Sequence, residues 1–126
     1  MSLWGIILLV VLIMSATMII LGLVFAIAGP KKINYIMGYR TPRSMKNLET
    51  WQFGNRTAGT YMWRTGVILL IGSLIALFAV INASEQVIQT AGMIIIIIHG
   101  VMVFGAVILT EIKLRKYFDR NGNRKF

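Results

Sequence analysis

Side chains able to do chemistry are few in this sequence, and most fall between residues 34 and 56. Asn34, Gly38, Arg40, Thr41, Ser44, Lys46, Asn47, Glu49, Trp51, Asn55 and Arg56 set cations among amides and hydroxyls. Guanidinium and ammonium groups in such company can hold an anionic headgroup, a peptide or a regulatory protein. Their plainer use is to fix topology and meet lipid phosphates, and for Lys31, Lys32 and the C-terminal charges that use is the expected one. His99 stands alone in the middle of an uncharged run, where an ionisable group is a functional candidate. No other ionisable group lies in any apolar run, so a proton relay lacks a second station. The expected role is a neutral imidazole hydrogen-bonded to Ser15, Thr17 or Ser73.

Catalytic groupings are missing. There is no carboxylate pair at membrane depth, no Ser-His-acid arrangement and no Gly-rich phosphate loop between a strand and a helix. Without cysteine there is no thiolate metal site, and one histidine could join a His cage only between chains. No enzyme, metal or cofactor is expected. The basic C-terminal tail has no module shaped for a groove, so direct nucleic-acid binding is not expected either.

The elements that carry these residues follow from composition. Of 126 residues, 57% are hydrophobic and 13% charged, about half the charged share of a soluble domain. One small core cannot hide that much apolar surface, so a soluble globular enzyme is excluded. Uncharged runs cover 3–29, 65–84 and 86–110. Each clears the roughly 18 apolar residues that mark a membrane crossing, and inside lipid such runs must be helical to satisfy their own backbone. The first is too long for the apolar core of a signal peptide and has no preceding cation. The expected fold is an all-α integral membrane protein in a single membrane domain. Its transmembrane helices cover about 3–29, 60–83 and 87–111, with a basic tail over 112–126.

The net charge is +9. Lys31, Lys32, Arg40, Arg43, Lys46, Arg56 and Arg64 face Glu49 alone across the first loop, whereas the second turn carries only Glu85. The positive-inside rule then puts the first loop and the tail in the cytoplasm and the N-terminus outside. Trp4, Tyr61, Trp63, Arg64, Tyr117 and Phe118 are expected as interface anchors.

Helices in lipid associate through close packing and hydrogen bonds, so small residues should mark their contacts. Ser15, Met18, Gly22, Ala26 and Gly29 share one side of the first helix. Gly59, Met62, Gly66, Ser73 and Ala76 do so on the second, and Gly92, His99, Met102, Ala106 and Thr110 on the third. A homo-oligomer is compatible with these stripes. Thr41 before Pro42 reads as a helix start, which predicts a cytoplasmic amphipathic helix over 42–56, bent or broken at Gly54 or Gly59. On it Glu49 could pair with Lys46 or Arg56, and the asparagines suggest a hydrogen-bonded cap over the inner mouth of the bundle. Gly29 and Gly38 read as bends.

Within that loop Asn34, Gly38-Tyr39-Arg40-Thr41, Ser44-Met45-Lys46-Asn47, Thr50-Trp51, Asn55-Arg56 and Gly59 form a recognisable set. It resembles the signature of the SdpI/YfhL family of bacterial membrane immunity proteins, over residues 30–66. The resemblance implies a multi-pass protein of the bacterial plasma membrane. The family's founding member protects its cell from a secreted, membrane-disrupting peptide toxin and recruits a cognate repressor to the membrane. By this resemblance the chain is expected to lack that member's additional N-terminal membrane region and to fall closer to the short YfhL-like branch. The expected function is toxin immunity through binding of a hydrophobic peptide in the bilayer, with a cytoplasmic repressor as a further partner. The alternatives are a small oligomeric transporter or lipid-handling protein, and a scaffold docking a cytoplasmic regulator.

Overall fold

The computed structural model describes residues 1–29, 31–33 and 36–126; Asn34, a candidate site residue, lies outside them. Among the described residues three helices follow in order: α1 Leu3–Ile27, α2 Leu48–Ala79 and α3 Glu85–Tyr117. Each is long and apolar enough to cross a membrane.

Local chemistry sets the helix ends. The Ser2 hydroxyl accepts from the Gly5 amide at 3.0 Å and opens α1. Gly29 closes it at φ +56, a left-handed conformation that glycine adopts without penalty. Asn47 opens α2 through a reciprocal pair: its Oδ1 accepts from the Thr50 amide at 2.9 Å, and Thr50 Oγ1 accepts from the Asn47 amide at 3.1 Å. This pair corrects the expected helix over 42–56. Thr41 and Pro42 do start a turn, closed by the Met45 amide on the Thr41 carbonyl at 3.1 Å. Asn47 then lies extended at φ −157 and ψ 179, so a helix cannot run through it. Residues 48–56 are instead the first turns of α2, which passes unbroken through Gly54 and Gly59. At its far end α3 continues past residue 111 to Tyr117, with Arg115 and Lys116 in its last turn, where cations complement the helix dipole.

The stripes of small residues become contact faces. Gly22 of α1 and Gly59 of α2 bring two backbones together. A methyl on Gly22 would stand 2.5 Å from the Trp63 nitrogen, and one on Gly59 would stand 2.6 Å from the Gly22 carbonyl oxygen. Gly66 continues this seam, and Gly92 of α3 leaves the hollow that Ile7 fills. Ser15, Ser73, His99, Ala106 and Thr110 are buried as well, whereas Met102 turns outward. Away from the loop, the core is Ile7, Val11, Leu77, Ile88 and Ile95. Trp4 is half-buried beside it: its Nε1 donates to the Leu77 carbonyl at 2.7 Å and its ring meets Phe78 edge-on. Trp4 therefore packs α1 against the end of α2. Ile20, Ile68, Ile75, Val101 and Phe104 are exposed on the outside of the bundle.

Candidate functional site

The loop and the start of α2 fold into a latch. Asn55, one turn after Trp51 and almost fully buried, reads the backbone of Tyr39 as a strand neighbour would. Its Oδ1 accepts from the Tyr39 amide at 2.7 Å, and its Nδ2 donates to the Tyr39 carbonyl at 3.3 Å and to the Trp51 carbonyl at 2.9 Å. Gly38 makes the approach possible. Its φ is +102, and a methyl there would stand 2.6 Å from Asn55 Oδ1. Ser44, fully buried, donates to the carbonyls of Tyr39 and Thr41 and accepts from the Thr41 amide. Thr50 in turn donates to the Ser44 carbonyl at 3.0 Å. Among the described residues the one buried side-chain polar atom without a partner is Trp51 Nε1, an orphan donor costing about 1–3 kcal/mol.

Tyr39 ties the latch to α3. Its hydroxyl donates to Glu111 Oε1 at 2.6 Å and to the Val107 carbonyl at 3.2 Å. Burial, then the Glu111 hydrogen bond and charge, push the phenol well above the usual tyrosine range.

The C-terminal tail, expected as a basic segment that fixes topology and meets lipid phosphates, folds back and completes the cap. Phe118 pairs with Arg124 across a tight turn in which Gly122 takes φ +82. Asn47 Nδ2 donates to the Gly122 carbonyl at 2.7 Å, holding that turn against the start of α2. Phe118 is fully buried beneath Phe53, so it is a packing residue, not an interface anchor. Glu49 pairs with neither Lys46 nor Arg56: its Oε1 takes Arg124 Nε at 2.6 Å. The Asn121-Gly122 pair is a hairpin signal that could have revealed this turn.

The candidate residues therefore divide. Gly38, Thr41, Ser44, Asn47, Trp51 and Asn55 are the latch itself, whereas Arg40, Lys46, Glu49 and Arg56 are exposed around it. His99 is fully buried. Its Nε2 lies 3.0 Å from Ser15 Oγ and its Nδ1 2.8 Å from the Ile95 carbonyl. A carbonyl only accepts, so Nδ1 carries a proton; a neutral ring then accepts the Ser15 hydroxyl at Nε2. Thr17 instead donates to the Ile13 carbonyl in its own helix.

Beneath the latch lies a groove of about 270 Å³, lined by Leu21, Phe25, Tyr39, Asn55, Met62 and Val107 among others. Its walls come from all three helices, and its lining is almost wholly apolar.

The chain matches the SdpI/YfhL protein family over residues 31–110. That stretch runs from the loop through α2 and most of α3, well beyond the signature. The chain is also similar to a curated protein of Bacillus subtilis (strain 168) described as "Uncharacterized protein YfhL", 39% identical over 61 residues. Those residues are 44% of this chain and 56% of the relative, so the match spans little more than half of that protein. No solved structure matches the chain. With more than half of its length matched and three helices able to span a bilayer, the chain is a multi-pass membrane protein and belongs to the SdpI/YfhL family.

Proposed function

We propose that this is an immunity protein of the bacterial plasma membrane, which protects its cell by binding a secreted, membrane-active peptide toxin. The observation that carries the reading is the apolar groove under the latch. It is walled by the helices and roofed by Tyr39 and Asn55, which are tied to each other through the Tyr39 amide and to α3 through the Tyr39 hydroxyl on Glu111. Such a groove takes apolar side chains from a peptide already in the bilayer, by close fit of shape in competition with lipid tails. The basic loop and tail support an orientation with the cap in the cytoplasm and the N-terminus outside.

The test is expression in a toxin-sensitive bacterium, reading survival and membrane potential as toxin is added. Protection is expected from the wild type. Ala58→Trp, which fills the groove from a half-buried wall position, should insert normally yet fail to protect. Unchanged sensitivity with the wild type to several related peptides would overturn the reading.

A second reading, a docking platform for a cytoplasmic regulator, is favoured by the exposure of Arg40, Lys46 and Arg56 on the cap. A pull-down in which Arg40→Ala, Lys46→Ala and Arg56→Ala together release a partner would support it; an unchanged set of partners would remove it.

A further inference from the structure

A second cleft, of about 440 Å³, has in its wall Glu111, the carboxylate to which Tyr39 is bonded. Pro42, Arg43, Lys46, Glu111, Arg115 and Arg120 line it. The cations come from three places in the chain: the loop turn, the end of α3 and the C-terminal turn. A helix end explains Arg115 through the dipole, but it does not explain why Arg43, Lys46 and Arg120 meet it there.

Among the described residues these four cations make no ion pair; the one pair there is Arg124 with Glu49, outside this cleft. Arg43 reaches only the Phe118 and Asp119 carbonyls, both at 3.5 Å. Asp119 does not line the cleft and spends one carboxylate oxygen on its own turn, Oδ1 accepting from the Asn121 and Asn123 amides at 2.9 Å each. Glu111, the one carboxylate lining the cleft, has an oxygen committed to the Tyr39 hydroxyl at 2.6 Å. Four cations thus surround one partly masked carboxylate.

Depth selects the occupant. The uncharged run ends at Thr110, so the cleft begins where the apolar span stops, at the level of lipid phosphates. Ile108 and Ile112, 49% and 55% exposed, stand on the neighbouring face of α3 and offer an acyl chain a continuous track below the cations. We propose that this cleft is a binding site for the phosphate of an acidic membrane phospholipid. Guanidinium forks match phosphate oxygens two at a time, and lysine adds a point charge.

Native mass spectrometry tests this on the full-length protein purified from bilayers of phosphatidylglycerol and phosphatidylcholine. Wild type is expected to keep one phosphatidylglycerol per chain through detergent exchange. The combined variant Lys46→Gln, Arg115→Gln, Arg120→Gln should lose that retention by roughly fivefold per charge removed. A variant with the same charge loss elsewhere, Lys31→Gln, Lys32→Gln, Arg64→Gln, should keep it. Glu111→Gln should retain the lipid more tightly, because a repelling charge leaves the cleft. Equal loss in both triple variants would reduce the effect to overall charge and overturn the site, as would no loss in either. Inorganic phosphate is the second arm: if it displaces the lipid at millimolar concentration, or stabilises the protein equally in a phosphatidylcholine bilayer, the lipid assignment fails.

Discussion

The α1–α2 seam and the cap solve the same problem by opposite means. In the seam, Gly22, Gly59 and Gly66 remove side chains so that backbones touch, and no polar group crosses between the helices at those points. In the cap, Tyr39, Ser44, Asn47, Thr50 and Asn55 place polar groups so that a loop with no regular structure has its backbone satisfied. Inside lipid, contact is gained by shape, because the surroundings are as apolar as the helices. At the surface a loop must be held by directional bonds, since its N–H and C=O groups otherwise turn to water. The seam should therefore fail by overpacking and the cap by loss of single hydrogen-bonding groups.

The largest effect expected is at the seam. Gly59→Val would press on the Gly22 carbonyl and the Ala26 nitrogen, and overpacking of this kind costs about 1–3 kcal/mol or more. Gly100, beside which a methyl meets nothing, is the control: Gly100→Ala should be neutral or slightly stabilising. Unfolding in mixed micelles measures both, and equal tolerance would show that the seam is not close-packed.

Asn55→Leu comes next. It strips the Tyr39 amide and carbonyl of a buried partner, at a cost of about 1–3 kcal/mol, and should expose residues 36–44 to proteolysis before the helices unfold. Ser15→Ala should cost less, about 0.6 kcal/mol, the average for hydrogen bonds between membrane helices. Glu49→Gln, which breaks a half-exposed ion pair, should cost under about 1 kcal/mol and lose that effect in high salt.

Alkaline titration sharpens the contrast without a large change in stability. The Tyr39 phenol, held neutral by burial and by Glu111, should ionise later than a free tyrosine. Because the folded state keeps this proton above the ordinary range, the contribution of Tyr39 is full below that range and falls as pH rises beyond it. Ultraviolet difference titration should show a late-titrating step in the wild type that Tyr39→Phe loses. A wild-type profile without the late step would mean that the Tyr39–Glu111 bond does not form.

How much was legible beforehand differs between the two regions in the same way. The seam could be read from residue type alone: glycine, serine and alanine at helical spacing marked the faces that pack, and Ser15 was among the partners expected for His99. The cap was misread in its parts. Thr41-Pro42 is a sound helix start locally, yet the Asn47–Thr50 pair took the helix start because its two hydrogen bonds satisfy both residues at once. Glu49 found a cation 75 positions away in place of its helical neighbours.

The sequence by itself determined that three helices are able to span a membrane and which sides of them could touch, because hydropathy and helical period are local properties that survive any tertiary arrangement. Only the tertiary structure decided that Tyr39 would be gripped by Asn55 and bonded to Glu111, that the tail would fold onto Asn47, and that cations from three segments would share one cleft. The physical reason is that hydrogen bonds are short and directional: which donor meets which acceptor across 16 or 75 residues is fixed by the register of packed helices, and no spacing along the chain encodes it.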